Sequence, residues 1–534
     1  MAFGLLARRA RLILPSEGLC PESDLEKMEE SPPNAGQAPQ PKTPSLIENW
    51  ISLCGVVLGA SSFFAVVCLI TLDFYRGFSN PYMGILTYLV APGFLVAGLV
   101  LIVGGALLER RRRRKLAPGD VPRHPRIDFN IPRQRNTFLV VAIVTFVFLL
   151  FTALGSYRTY EFTESVQFCG MTCHAIMKPE YTAYQNSPHA RVTCTQCHIG
   201  SGATWFVKAK LSGSYQVYAA LAGKYPRPIP TPVKNLRPAQ QTCEQCHWPQ
   251  KFYGAVERVR THFLYDETNT SYTVQMLLRV GGGDPTHGPV GGIHWHMNVA
   301  NKVEYVASDE ARQVIPWVRI TDHTGHSTVY QAKDSKLTPA QITEASMRRM
   351  DCIDCHNRPT HIFQPPNDAV DVSMSLGHID PSIPSIKKNS VAVLTEEYPT
   401  QAEAEQKIAD KLNAQYSKTV DPEKLNSAIA ELQKIYRDNF FPEMKSSWKA
   451  YPNNIGHLNW PGCFRCHDGE HVSPEGKAIS ADCNSCHTII AQGSGNELKT
   501  LSAQGLQFQH PAAELGDAWK GMKCSDCHNG GMMQ

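Results

Sequence analysis

The stretch Phe168–Glu180, FCGMTCHAIMKPE, holds the pattern that decides how the rest of the chain is read. Cys169 and Cys173 are followed directly by His174, as in the c-type haem attachment pattern CxxCH, but three residues rather than two separate the cysteines. In that pattern two thiols add to the two vinyl groups of a haem, and the adjacent histidine becomes an axial ligand of the iron. The porphyrin fixes the vinyl spacing, so the extra residue has to bulge out between the cysteines. Gly170 is expected to supply the backbone freedom for that bulge. Met177 stands three residues beyond His174.

Regular copies downstream guide the reading of the irregular one. They run from Cys194 and Cys197 to His198, from Cys243 and Cys246 to His247, and from Cys352 and Cys355 to His356. Three more run from Cys463 and Cys466 to His467, from Cys483 and Cys486 to His487, and from Cys524 and Cys527 to His528. Every cysteine after residue 160 belongs to such a pair, and Cys20, Cys54 and Cys68 lie in or before the first apolar segment. Zinc sites pair two CxxC units and need no histidine after each one. Disulfide frameworks do not repeat one spacing so regularly. The sequence therefore predicts seven covalently bound c-type haems and their iron. The rival at Cys169 and Cys173 is a lost haem that leaves two free thiols.

Three apolar segments precede the motifs: Ile51–Leu72, Met83–Leu108 and Thr137–Tyr157. Each meets the roughly 20 residues needed to span a bilayer as a helix. Pro92-Gly93 predicts a kink in the second. Residues 109–136 carry Arg110–Arg114, Lys115, Arg123, Arg126, Arg133 and Arg135, whereas the first loop carries Arg76 alone. Positive charge stays in the cytoplasm, so the tail 1–48 is cytoplasmic and the chain after Tyr157 is exported. Between two spans the basic run reads as topology rather than as a nucleic-acid patch. The apolar run in MAFGLLARRARLILPSEG is too short for a cleavable signal, so the first span is expected to act as an uncleaved anchor. Covalent haem and topology agree on a bacterial cytoplasmic (inner) membrane, with the haem domain on the periplasmic side.

The expected fold is a membrane-anchored multihaem cytochrome c. Three N-terminal transmembrane helices (49–157) follow a disordered tail (1–48). A mainly α and loop, haem-packed exported domain comes next, with a small β-rich insert. Four haem motifs occupy 158–250 and 351–365, around the β-rich insert at 251–350. A helical linker, 366–450, leads to a C-terminal trihaem module, 451–534. In that linker Asp421 is the expected N-cap and Pro422 the first helical residue. Aliphatic residues look too sparse for one conventional large core, so haem is expected to supply the core material.

A low-spin haem needs a second axial ligand. His189, His361, His457, His471 and His510 lie close to motifs and are the expected distal ligands. A sixth is expected from GGIHWHMN, as His294 or His296. Met177 is the expected thioether ligand of the first iron, where a softer donor raises the reduction potential. His124 falls on the cytoplasmic side, and His262, His287, His323, His326 and His378 read as ordinary.

CGMTCHAIMKPE, SPHARVTCTQCHIG, TCEQCH and DCIDCHNRPTH together resemble the NapC/NirT family of membrane-bound quinol dehydrogenases. The resemblance covers roughly residues 137–365. In overall layout the chain is similar to a larger heptahaem inner-membrane cytochrome of metal-respiring bacteria. The resemblance implies that membrane quinol is oxidised beside the first haem and that electrons leave for periplasmic c-type cytochromes, in anaerobic or extracellular respiration. It implies Met177 as a ligand and a quinol-lining lysine after the second motif, for which Lys208 and Lys210 are the matches. One departure follows: residues 199–242 hold no Asp, Glu or His, so the aspartate that some relatives carry near those lysines has no counterpart and the proton acceptor is unidentified. The extra residue of the first motif also puts His174 in question, since Met177 could take its side. Two rivals remain: a terminal multihaem reductase of a small substrate, and an electron-conduit subunit of a larger respiratory complex. Assembly as a homo-oligomer stays open, and no nucleic acid is expected as a partner.

Overall fold

The computed structural model describes residues 45–76, 91–115, 128–172, 174–200, 203–233, 236–281, 291–297, 301–343, 346–499 and 501–531. The tail up to residue 44, Cys173, His124 and His287 lie outside the described residues. The chain divides into two compact units, residues 1–70 with 90–126, and residues 71–89 with 127–534.

The first unit is built on helices α1 (Trp50–Arg76) and α2 (Ala91–Arg113). Their contact is made by small residues. A Cβ on Gly55 would sit 2.7 Å from the Gly98 carbonyl oxygen, and one on Gly98 would sit 2.7 Å from the Gly59 nitrogen. Ser52 Oγ donates to the Ile102 carbonyl at 3.0 Å, and Ser62 Oγ to the Ala91 carbonyl at 2.5 Å. Close backbone approach with hydroxyl bonds between helices is the packing expected where lipid removes the hydrophobic drive. The outer faces agree, with Phe63, Phe64 and Val100 exposed. Both helices are long and apolar enough to cross a membrane. Pro92 falls in the first turn of α2 as described, where a proline is tolerated; the residues before Ala91 that a kink would involve lie outside the described ones.

The second unit begins with α3 (Pro132–Thr163), 32 residues long. It exposes Phe138, Val140, Ile143, Val144, Phe146 and Phe151. From its end the chain enters the irregular motif and α4 (His174–Gln185), and later α5 (Ala203–Leu221).

The expectation of a core made by haem alone is corrected. A conventional apolar core lies in residues 363–451, around α6 (Pro366–Ser375), α7 (Ile386–Thr395), α8 (Gln401–Tyr416) and α9 (Pro422–Asn439). Helix α8 buries Ala404, Ile408, Leu412 and Tyr416, four residues apart, against Leu425, Ala428, Leu432 and Ile435 of α9. That stripe is what a helix facing a core requires. Fully burying each Leu or Ile contributes about 1.5–3 kcal/mol. Asp421 caps α9, accepting from the Glu423 and Lys424 amides at 3.0 and 3.3 Å, with Pro422 in the first turn. Ile176 and Ala183 of α4 pack on the same core, and Lys178 Nζ donates to Gln401 Oε1 at 2.5 Å. The helical segment is thus the platform on which the first motif rests.

The strands join two distant parts of the sequence. β1 (Ala255–Phe263) and β2 (Ser271–Arg279) pair antiparallel, with Ala255 opposite Arg279. β3 (Lys302–Val306), β4 (Trp317–Thr321), β5 (Ser327–Ala332) and β6 (Arg348–Arg349) form a second group. The C-terminal segment contributes β7 (His471–Val472) and β8 (His487–Gly493). The sheet orders are β1-β2-β8 and β6-β3-β4-β5-β7. Each sheet of residues 251–350 is completed by a strand from the C-terminal segment.

Candidate functional site

The extra residue of the first motif is absorbed by a π-helical turn, Phe168–Thr172. Such a turn takes one more residue than an α-turn, which matches the added spacing. Gly170 does not adopt a positive φ here, so the expected backbone freedom is not its use. It is buried, and a Cβ at that position would run into the Tyr181 ring. His174 opens α4, and Met177 lies half-buried in the same first turn.

Six histidines of the regular motifs each face a histidine from elsewhere. Ring centres are 6.2 Å apart for His198 and His361, 6.0 Å for His247 and His189, and 6.4 Å for His356 and His294. They are 5.8 Å apart for His467 and His296, 6.3 Å for His487 and His457, and 6.1 Å for His528 and His510. A metal bound at about 2 Å to one nitrogen of each ring sets the ring centres roughly 6 Å apart. The residues present fit the group that the motifs demand.

The surroundings suit ligation. Burial lowers the pKa values of His198, His296, His356, His361, His457, His487 and His528, keeping neutral imidazoles with a lone pair to give. Several rings hold backbone carbonyls through Nδ1: His294 to Val280 at 2.6 Å, His296 to Ile293 at 3.0 Å and His467 to Ser480 at 2.9 Å. That orients Nε2 toward the facing ring. His361 has Nδ1 at 3.0 Å from the Glu180 carbonyl and 3.2 Å from Glu180 Oε2, and Arg358 holds the same carboxylate at 3.0 Å. Nδ1 of His457 and of His487 is buried with no hydrogen-bond partner.

His471 departs from its expected role. It is 2% exposed, its Nδ1 lies 2.9 Å from Asp468 Oδ1, and its Nε2 lies 2.7 Å from the Ile315 carbonyl. Both nitrogens face acceptors, so neither is free for iron. The sixth facing ring comes instead from GGIHWHMN, which supplies both His294 and His296. They sit on one 3₁₀ turn, Ile293–Met297, where residues two apart point about 120° from each other. The His-x-His spacing was the available signal. His262 binds Asp371 at 3.0 Å beside the buried Lys387, and His378 lies 3.5 Å from Glu431.

The thiols line up in chain order. Cys169 and Cys194 share a hydrogen bond that raises the first thiol and lowers the second. Burial, then the nearby Cys243, raises Cys197. Cys243 is lowered by its hydrogen bond with Cys352. Burial and then Cys463 push both Cys355 and Cys486 up to about 11. Cys524 is raised by burial, with Cys483 adding to it. Each motif thus neighbours the next along the sequence.

At the first motif Lys210 Nζ forms an ion pair with Glu164, the residue that caps the end of α3. Lys208 stands over the Trp205 ring, 5.0 Å from its centre.

Comparison with known proteins gives two matches. Residues 131–228 match the NapC/NirT cytochrome c family, N-terminal region. The chain is 44% identical over 495 residues, 91% of its length and 96% of the relative's, to cytochrome c-type protein ImcH of Geobacter sulfurreducens. No solved structure matches the chain.

Proposed function

The chain belongs to the NapC/NirT cytochrome c family, whose electron-transfer chemistry rests on covalently bound haem, and from that premise we propose that it is a membrane-anchored quinol dehydrogenase carrying seven c-type haems. In this reading α1, α2 and α3 span the inner membrane. Quinol gives up electrons beside Cys169 and Cys173, and the acceptors are periplasmic c-type cytochromes.

The observation that carries the ligand assignment is the set of six facing imidazole pairs at 5.8–6.4 Å. His361, His189, His294, His296, His457 and His510 would hold the second to seventh haems opposite the motif histidines, in that order. His174 and Met177 serve the first. When bound, the haems supply reversible one-electron chemistry. The chain fixes their order through the cysteines, keeps His198, His296, His356, His361, His457, His487 and His528 neutral by burial, and aims several rings with carbonyl bonds. His294 and His296 place the fourth and fifth sites on one turn, which makes Ile293–Met297 the joint between the tetrahaem and trihaem segments. Facing rings at all three C-terminal sites favour electron transfer over reduction of a small substrate there, since a substrate needs an open position.

The test is anaerobic stopped-flow reduction of the purified protein by a quinol analogue. Reduction of the wild type, slowed in Met177→Ala and Lys210→Ala while dithionite still reduces both variants fully, is the expected result. A wild type reduced by dithionite but inert to quinol would leave the spans as anchors and make the protein a conduit fed by another subunit.

A further inference from the structure

Oxidising a quinol to a quinone breaks two O–H bonds, and both protons must go somewhere. The helix carrying Lys208 and Lys210 offers no base, because residues 199–242 contain no Asp, Glu or His. The structure brings a carboxylate to that place from another element. Glu164 ends the long helix α3, 46 positions before Lys210, and its side chain is 15% exposed against Lys210. Both groups lie beside the first motif: after the Cys194 hydrogen bond and burial, the charge of Glu164 raises the Cys169 thiol and that of Lys210 lowers it. One helical turn earlier stands Glu161, 43% exposed and 3.1 Å from Arg158, which is itself 81% exposed. Residues three apart on a helix are neighbours on one face.

We propose that Glu164 accepts the protons shed by quinol at the first haem site, exchanging its ion pair with Lys210 for each proton in turn, and that Glu161 passes them to the exported aqueous side. This rests on the quinol reading above. The balance is closed. One quinol yields one quinone, two electrons and two protons. The electrons would be taken up singly by the haem that Cys169 and Cys173 would hold. Each proton forms the Glu164 carboxylic acid, which returns to carboxylate when the proton moves to Glu161 and water. Lys210 regains its partner between the two steps. Lys210 of α5 faces Glu164, and Glu161 and Arg158 stand one to two turns earlier on its own helix.

The experiment uses the full-length haem-loaded protein in lipid nanodiscs and compares a quinol analogue with dithionite as reductant across a range of pH. For Glu164→Gln the limiting rate with quinol is expected to fall at least tenfold, with little change in the quinol concentration giving half that rate. The pH dependence and solvent isotope effect of the wild type should be lost with it. Haem count, spectrum and dithionite reduction should stay as in the wild type, and Glu164→Asp should recover most of the rate. If Glu164→Gln lowers haem content, Glu161→Gln and Glu164→Asp carry the same test through their pH profiles. A Glu164→Gln protein with the wild-type rate and pH profile overturns the proposal while the quinol reading stands. A wild type that quinol does not reduce overturns both.

Discussion

Replacing His471 separates a structural histidine from a ligand. Its ring is buried between the Asp468 carboxylate at 2.9 Å and the Ile315 carbonyl at 2.7 Å. Two acceptors require both ring nitrogens to carry protons. Burial opposes the charge, but the Asp468 and Ile315 bonds outweigh it and raise the pKa above its ordinary 6.5. His471→Ala removes two charge-assisted bonds, one to the Asp468 carboxylate and one to the Ile315 carbonyl, and leaves that carbonyl unpaired. Asp468 keeps the Glu470 amide and Lys523. Together these cost roughly 2–4 kcal/mol. Because the folded value is raised, the contribution is complete below the ordinary value and fades as pH rises through the folded one. Denaturant unfolding should therefore show the variant's deficit largest at acidic pH and smaller at alkaline pH. Low-temperature electron paramagnetic resonance of the same samples should show no new high-spin iron. His294→Ala and His296→Ala should each convert a different single haem to high spin, and the double variant should convert two. A high-spin haem in His471→Ala, or an unchanged spectrum in either of the other variants, would refute the pairing.

Three further outcomes follow from named contacts. Glu180→Gln takes the carboxylate from His361 and Arg358; a less electron-rich ligand raises that haem's potential, and a tenfold shift in its reduction equilibrium would appear in spectroelectrochemistry as about 59 mV. Gly170→Ala pushes a Cβ into the Tyr181 ring; a cost of about 1–3 kcal/mol is expected in unfolding, relieved by Tyr181→Leu but not by Tyr181→Phe. Leu412→Ala empties a fully buried position in the α8–α9 core; a loss of about 2–5 kcal/mol with an unaltered haem spectrum is expected.

What could be read from the sequence was local. Asp421 and Pro422 announce α9 because a cap and a first-turn proline act within four residues. The extra residue in CGMTC signals a bulge because the porphyrin sets the spacing, although the form it takes, a π turn under Tyr181, depends on a neighbour in space. Distal ligands were less legible. His361 faces His198 across 163 positions, and nothing in the spacing of CHNRPTH points to a motif so far upstream. Proximity in CHDGEH suggests ligation by His471, yet its partners include Ile315, 156 positions away. The apolar core of 363–451 is hidden when composition is averaged over everything after residue 157, where motif-bearing loops dilute the aliphatic residues of four helices. β7 and β8 complete sheets begun some 200 residues earlier, which period-two patterning cannot announce.

The seven-haem assignment rests on what Cys169 and Cys173 carry. Intact-mass analysis of the full-length protein, with fragmentation across residues 160–200, counts the haems and locates the first. Seven covalent additions, one of them bridging Cys169 and Cys173, are predicted. Six additions, with those two thiols free, would contradict it.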